Sequence, residues 1–172
     1  GGWEMHIPGL YRANGMPVTI CDQNSGEIFI CFADQRNGEN DTDIWLIKSG
    51  DKGKTWSDVI RINDDGPSRQ QFLPWISIDQ STGTLYTIFY DRRNHTDLNT
   101  DVFLAWSKDK GNSFTNKKIN DMPFEANPNI FFGDYNNISS HKGIIAPIWT
   151  EANGFKTSVK TRIIEEEKLG DL

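Results

Sequence analysis

The chain has 172 residues and a formal net charge of −6, from Lys+Arg 18 against Asp+Glu 24. An acidic balance of this kind argues against a nucleic-acid groove or an anionic-membrane patch, and no apolar run approaches the roughly 18 residues that a membrane span needs. A hydrophobic content of only 36%, rich in Phe and Trp and accompanied by 15 Gly and 7 Pro, is typical of short strands joined by many turns.

An internal repeat organises most of the chain. The segments 17–66 and 74–123 read alike at an offset of 57 that becomes 58 and then returns to 57. Asp22 thereby corresponds to Asp79. Self-similarity at a fixed period indicates a repeat architecture. Residues 1–16 fit neither repeat, and we expect them to form a stray outer strand or a linker.

Each repeat carries the pattern of four short strands. In the first repeat the strands are predicted at 18–21, 28–32, 43–48 and 58–63. In the second repeat they are predicted at 76–78, 85–90, 101–107 and 116–120. A lone four-stranded meander cannot bury both of its faces, so such units stack radially as the blades of a β-propeller.

A third, degenerate unit covers residues 128–164. Its strands are predicted at 130–135, 143–150 and 155–164. Residues 165–172 form a charged tail that we expect to fray.

The two cysteines are too few for a disulfide scaffold or for a zinc site made of cysteines. Cys21 and Cys31 lie on adjacent strands of the first predicted hairpin, where Cys21 should face Ile28 rather than Cys31. We predict that both are small buried hydrophobic residues. Cysteine usage therefore says nothing about the compartment.

A turn motif, Ser-x-Asp-x-Gly-x-Thr/Ser-aromatic, occurs once in each of the first two units. The aspartate accepts backbone N–H bonds inside a tight turn, the glycine takes a positive φ, and the aromatic ring fills the gap between neighbouring strands. We predict a structural role for the residues of the motif, which are Ser49, Asp51, Gly53, Thr55, Trp56, Ser107, Asp109, Gly111, Ser113 and Phe114.

This motif resembles the Asp-box, or BNR repeat, of sialidase-like propellers, and the wider sequence is similar to bacterial secreted exo-α-sialidase-like proteins. The similar stretches are 11–19, 34–56, 89–94 and 131–139. The resemblance implies an all-β fold in which this chain supplies a partial β-propeller, about three four-stranded antiparallel blades from the C-terminal portion of a six-bladed ring. It also implies a secreted, cell-surface or periplasmic location, a glycan or sialoglycoconjugate as partner, and remaining blades from the parent chain or from another copy.

For the chemistry, the resemblance implies a tyrosine nucleophile activated by a glutamate, an aspartate acid/base, and three arginines that clamp a substrate carboxylate. Residues 135–139, followed by Gly143 and by 149–151, are similar to the strand that carries the nucleophile. Tyr135 is therefore the candidate catalytic residue. The other interpretation is that Tyr135 packs at the inner rim of the last blade.

The candidate substrate-binding arginines are Arg92, Arg36 and Arg93. An aspartate stands two positions before Arg36 and also two positions before Arg93, so these two arginines also fit structural ion pairs that recur in each repeat. Arg92 does not recur, because Gln35 takes its place in the first repeat. Arg92 is therefore the better candidate for a role in binding.

Several parts of the family pattern are missing. No Arg-Ile-Pro motif is found, residues 72–74 replace the Asn-Glu-Pro that holds the glutamate, and the acid/base aspartate belongs to an earlier blade. The chain alone is therefore not expected to assemble a complete site. Two functions remain open, an exo-α-sialidase-type retaining glycoside hydrolase that acts on terminal sialic acid, and a non-catalytic glycan-binding or protein-interaction propeller module.

No cofactor is expected, and the histidines do not have the spacing of metal ligands. Acidic and amide side chains do cluster in the loops before the third strands, where they favour either strand-end caps in a solvated loop or, alternatively, oxygen ligands for calcium. The residues concerned are Asp41, Asp43, Asp97, Asn99 and Asp101.

Overall fold

The computed structural model describes residues 5–172, so the first four positions of the predicted N-terminal segment lie outside it. The described residues form 13 strands and a short 3₁₀ helix, Glu166–Asp171. The first strands are β1 (Val18–Cys21), β2 (Ile28–Asp34), β3 (Asp43–Ser49), β4 (Ile60–Arg61), β5 (Gln71–Ile78), β6 (Leu85–Asp91) and β7 (Asn99–Ser107). The others are β8 (Thr115–Lys118), β9 (Phe124–Glu125), β10 (Asn137–His141), β11 (Ile144–Asn153), β12 (Lys156–Thr161) and β13 (Ile164–Glu165).

The strands form three antiparallel sheets. Sheet 1 has the order β1-β2-β3-β4, and sheet 2 has the order β5-β6-β7-β8 with β9 also paired to β7. Sheet 3 has the order β10-β11-β12, with β13 paired to β11. The first strands of the three sheets lie next to one another, since β5 packs against β1 on one side and β10 on the other. The fold is all-β, three antiparallel blades of a partial β-propeller, as the sequence predicts.

Sheet 2 is covered on both faces, and this decides where the core lies. Strand β6 is buried along its whole length. Because successive side chains of a strand point to opposite faces, Leu85 and Phe89 pack against sheet 1, while Tyr86 and Ile88 pack against sheet 3. Strand β2 of sheet 1 instead alternates between buried and half-buried residues, since only one of its faces meets another sheet.

Three predictions about the strands are corrected. Residues 130–135 form no strand and lie in a loop, where Gly133 takes a φ of 124° that interrupts an extended run. The fourth strands are shorter than predicted, only β4 and β8. Strand β5 begins earlier than predicted and has an irregular register between Phe72 and Trp75, because Pro74 has no N–H to donate to the ladder.

The charged tail does not fray. Strand β13 pairs with β11, and the 3₁₀ helix that follows places Leu169 in the core between sheets 2 and 3. The Nζ of Lys108 also lies 2.9 Å from Glu166 Oε1. Burial of one apolar side chain and an ion pair to sheet 2 thus hold a segment whose composition alone predicts disorder.

The two cysteines differ in their surroundings. Cys21 pairs with Ile28 across the first hairpin, as predicted, and both thiols are free. Cys31 is fully buried, which strongly raises the pKa of its thiol. Cys21 is exposed, so its predicted burial is wrong. Cys21 points to the face of sheet 1 that no other described sheet covers.

The N-terminal segment runs across the sheets as an irregular strap, 5–16, whose regular pairing is a single bridge between Met5 and Ala13. Ile7 of this strap is buried in the core between sheets 2 and 3. Within the described residues, no helix combines the length and the apolar character needed to cross a bilayer.

Candidate functional site

The connections between the strands lie at two opposite ends of the sheets. The hairpins β1–β2 and β5–β6 and the motif turns between the third and fourth strands lie at one end, because each sheet is an antiparallel meander. The loops 35–42 and 92–98 and the linker 126–136 lie at the other, which we call the loop end. Tyr135 and the three candidate arginines all belong to the loop end.

The two motif turns have the same hydrogen bonds. Asp51 accepts bonds from Thr55 N (2.9 Å) and Thr55 Oγ1 (2.6 Å). Asp109 accepts the equivalent bonds from Ser113 N (2.9 Å) and Ser113 Oγ (2.6 Å). The glycines take φ values of 81° and 76°, as predicted for this turn. The hydroxyl and N–H donors lower the pKa of Asp51 and of Asp109 to about 2.

The aromatic residues of the two turns differ in burial. Phe114 packs into the core between sheets 1 and 2, as predicted for a ring that fills the space between strands. Trp56, at the equivalent position of sheet 1, remains 41% exposed. The Phe114 ring of sheet 2 packs against sheet 1. No described sheet lies beside the Trp56 ring of sheet 1, so that ring stays exposed.

The lowered pKa values predict an acid-sensitive part of the stability. A carboxylate whose folded pKa lies below its ordinary value of 3.8 stabilises the fold above that value, and this contribution is lost as the pH falls through about 2. We expect the free energy of unfolding to fall between these pH values, and to fall less steeply in Asp51→Asn and Asp109→Asn. Denaturant unfolding at several pH values measures the slope. The control is Asp58→Asn, an exposed aspartate near the first turn, and an unchanged slope in both turn variants would contradict the assignment.

Arg36 and Arg93 occupy equivalent places in sheets 1 and 2. Arg36 donates to Asp34, with Nε 2.8 Å from Oδ1, and its guanidinium lies 4.5 Å from the centre of the Trp45 ring. Arg93 donates to Asp91, with Nε 2.8 Å from Oδ2. The guanidinium of Arg93 lies 4.3 Å from the Phe103 ring and also pairs with Asp64.

Each of these two arginines is therefore engaged by a carboxylate and an aromatic ring of its own repeat. Such contacts hold the end of the second strand against the start of the third. They match the structural interpretation of the recurring pair.

Arg92 has a different environment. Only 2% of the residue is exposed, and its guanidinium donates to neutral oxygens, Thr100 Oγ1 (3.1 Å), Pro8 O (2.8 Å) and Gln70 Oε1 (3.3 Å). Its Nη2 is buried without a hydrogen-bond partner. Burial lowers the pKa of Arg92 to about 10. No carboxylate among residues 5–172 forms an ion pair with this cation. Glu125 and Asp97 act on its charge only at longer range, and its guanidinium lies 5.1 Å from the centre of the Phe72 ring.

Tyr135 lies in the linker directly before β10. It is 63% exposed, and its ring centre lies 6.0 Å from that of Trp75 on β5. The preceding residue, Asp134, accepts a bond from Arg12 Nε of the N-terminal strap (2.8 Å). Tyr135 thus lies at the loop end beside the first strand of sheet 2, with most of the residue exposed.

The four candidate residues all lie at the loop end, but they do not form one site. The candidates are Tyr135, Arg36, Arg92 and Arg93. In the described part of the chain, no hydrogen bond, ion pair or ring contact connects Tyr135 with Arg92 or with Arg36. Sequence reasoning missed the partners of Arg92, which are Pro8, Gln70 and Thr100. Gln70 and Thr100 precede or begin strands of sheet 2, but no sequence signal connects Pro8, 84 residues away, with Arg92.

The buried carboxylates of the acidic loops interact with donors of the protein itself. Asp43 accepts bonds from Asn37 Nδ2 (2.7 Å) and Asn63 Nδ2 (2.6 Å). Asp101 lies 2.9 Å from both Lys118 Nζ and His95 Nε2. Over residues 5–172, no group of three or more His, Cys, Asp and Glu side chains is arranged to hold a metal ion. These contacts match the interpretation of the loops as capped strand ends.

Comparison with known proteins bears on the fold. No protein-family profile and no curated protein sequence matches the chain. Among solved structures, the chain is similar to the Hadza microbial sialidase Hz136, with a TM-score of 0.69 and 17% identity over 90% of this chain and 36% of that one.

It is also similar to Zg3597, a family 117 glycoside hydrolase of the marine bacterium Zobellia galactanivorans (TM-score 0.55, 14% identity, 88% of this chain and 52% of that one). A third similar structure is the α-L-arabinanase of Penicillium chrysogenum in complex with arabinobiose (TM-score 0.50, 9% identity, 88% and 57%). The chain thus spans between about a third and just over half of the length of these proteins. At such identities the likeness concerns the fold, and the described residues have the fold of part of a glycoside hydrolase β-propeller.

Proposed function

We propose that this chain is part of a sialidase-type glycoside hydrolase propeller that acts on terminal sialic acid of glycans outside the cytoplasm. The observation that carries the proposal is the pair of motif turns, which have the same hydrogen bonds at equivalent corners of two sheets. The motif resembles the Asp-box of sialidase-like propellers. The fold likeness to a microbial sialidase over 90% of the chain supports the same assignment.

Arg92 is the proposed ligand of the substrate carboxylate. A buried guanidinium without a carboxylate partner is costly, and an anionic ligand would compensate its charge and accept a bond from the free Nη2. Arg36 and Arg93 are already paired with aspartates, so Arg92 is the one of the three that is proposed to bind the carboxylate. Because Pro8 covers Arg92, binding requires the strap to shift.

Tyr135 is the proposed nucleophile. A phenol is suited to a substrate that carries a carboxylate, because an anionic nucleophile would be repelled. The exposure of Tyr135 at the loop end supports this role. The glutamate base and the acid/base aspartate are proposed to come from blades beyond this chain.

The assay for this proposal is release of the fluorophore from an aryl α-sialoside by the full-length protein. We expect turnover of the sialoside and none of an aryl arabinofuranoside. Tyr135→Phe is expected to lower kcat by about 10³-fold or more, because it removes the attacking oxygen. The matched control is Tyr11→Phe, another exposed tyrosine, which lies in the N-terminal strap. Absence of turnover at every pH tested, or full activity of Tyr135→Phe, would contradict the proposal.

A second candidate is a glycan-binding or protein-interaction propeller without catalysis. It is favoured by the contacts of Tyr135, which meets the ring of Trp75 rather than a carboxylate base among the described residues. A glycan array separates the two functions. Binding of sialylated glycans without hydrolysis supports the second candidate, and hydrolysis excludes it.

A further inference from the structure

Tyr135 is an exposed side chain on an anchored stretch of backbone. The residue is 63% exposed, and its ring meets the ring of Trp75. The residues on either side of it, Asp134 and Asn136, are each hydrogen-bonded to a segment that is distant along the chain. Connecting loops are commonly mobile, so two anchors around one exposed ring indicate that the fold fixes the place of that ring.

Asn136 joins the linker to strand β5. It is only 3% exposed, and its Nδ2 donates to Leu73 O over 2.9 Å. Leu73 lies in the irregular register between Phe72 and Trp75 and takes a φ of 51°. A positive φ is costly for a leucine and persists only where the surrounding structure holds it. The strained backbone of β5 thus presents an acceptor to the residue that follows Tyr135.

The other atom of the Asn136 amide shows that packing does not explain this side chain. Its Oδ1 is buried without a hydrogen-bond partner among the described residues. An unpaired buried oxygen costs free energy that an apolar side chain of similar size would not cost. The bond from Nδ2 to Leu73 is therefore what an asparagine contributes at this position.

Arg12 of the N-terminal strap holds the linker on the other side of Tyr135. Its Nε (2.8 Å) and its Nη2 both donate to the carboxylate of Asp134, and such a fork fixes orientation as well as distance. The guanidinium also lies 5.0 Å from the centre of the Phe131 ring. Arg12 and Asp134 are 122 residues apart, so this anchor is a tertiary contact and not part of a local turn.

We propose that Asn136 and Arg12 are positioning residues for Tyr135. The inference rests on the proposed function, in which Tyr135 is the nucleophile, and adds how an exposed phenol in a loop keeps the orientation that attack requires. Both residues act through the backbone of residues 134–136, and the Trp75 ring lies against the phenol itself. A reacting group that is misplaced by about 1 Å can lower the rate by about a hundredfold, so a site on a loop depends on such support.

Fluorine NMR of the full-length protein labelled with 3-fluorotyrosine tests the placement without a substrate. The signal of Tyr135 is the one that disappears in Tyr135→Phe, and we expect the Trp75 ring to shift it away from that of free fluorotyrosine. The signal should move toward the free position in Asn136→Leu, which has no donor, and in Arg12→Gln, which cannot form the fork. Asn129→Ala is the matched control, an exposed asparagine of the same linker, and should leave the signal unchanged.

Turnover of the aryl α-sialoside tests the role of this placement. We expect kcat to fall by about tenfold to a hundredfold in Asn136→Leu and in Arg12→Gln, with KM within about twofold of the wild-type value, because a displaced nucleophile weakens the transition state and not substrate binding. The signals of buried Tyr86 and Tyr90 report whether the fold is intact. The side chain of Arg12 is 46% exposed, so Arg12→Gln provides the test even if Asn136→Leu does not fold.

Two results would overturn the inference, a Tyr135 signal that neither variant moves, and full kcat in both variants despite a moved signal. Absence of sialoside turnover by the wild-type protein has a different meaning. It contradicts the proposed function, and the fluorine signal still decides whether Asn136 and Arg12 hold Tyr135 in place.

Discussion

Gly111→Ala is expected to lower the free energy of unfolding by about 2–4 kcal/mol, whereas Gly53→Ala should lower it by only about 1 kcal/mol. Both glycines hold the same turn position with positive φ, so both variants carry the same backbone strain. A Cβ at Gly111 would lie 2.5 Å from Leu46 Cδ2, and 3.3 Å from Leu85 Cδ1. At Gly53 the nearest atom would be Trp56 Cζ2, at 3.7 Å.

The difference between the two glycines comes from the neighbouring sheet. Leu46 is fully buried in the core between sheets 1 and 2 and has little room to move away from the new methyl group. Trp56 is partly exposed and can shift toward solvent. Urea unfolding of both variants measures the two effects. Equal losses would show that the turn alone, and not its contact with the next sheet, decides the cost.

Asp91→Ala is expected to lower the free energy of unfolding by about 3 kcal/mol, against about 1 kcal/mol or less for Asp34→Ala. The two aspartates are equivalent in the repeat, and each accepts bonds from the arginine two positions later. The side chain of Asp91 is 0% exposed and that of its partner Arg93 is 14% exposed. In the other pair, Asp34 is 33% exposed and Arg36 is 35% exposed.

Removing Asp91 leaves a largely buried guanidinium with less compensation, and Gln71 Nε2 loses an acceptor that lies 3.2 Å away. Removing Asp34 leaves a guanidinium that water can still solvate. Urea unfolding at low and at high salt distinguishes the two pairs. Screening by salt should reduce the loss of unfolding free energy in Asp34→Ala, and it should change the loss in Asp91→Ala much less. Equal losses of unfolding free energy in Asp91→Ala and Asp34→Ala would contradict the prediction that the buried pair contributes more.

Much of the local structure could be predicted from the sequence because it depends on neighbours along the chain. Short apolar runs bounded by turn residues predict strands such as β2 and β6. Turn chemistry predicts the pairing of Cys21 with Ile28. The serine, aspartate and glycine of the motif predict a turn that closes on its own hydroxyl and N–H donors. The repeat offset also predicts the sheet topology, because equal segments adopt equal folds.

The burial of individual side chains could not be predicted in this way, because it depends on which sheet covers which face. Equivalent residues differ because sheet 2 lies between two sheets, whereas sheet 1 has a described neighbour on one side only. Cys21 and Trp56 are exposed for this reason, while Phe114 is partly buried against the core between sheets 1 and 2. The burial of Arg92 under Pro8 and the ordering of the tail by Leu169 both arise from contacts between distant segments, which no local pattern encodes. The sequence by itself determined the strands, their turns and their repeat, and only tertiary packing decided which charges are buried and which faces stay open, because burial is a property of neighbours in space.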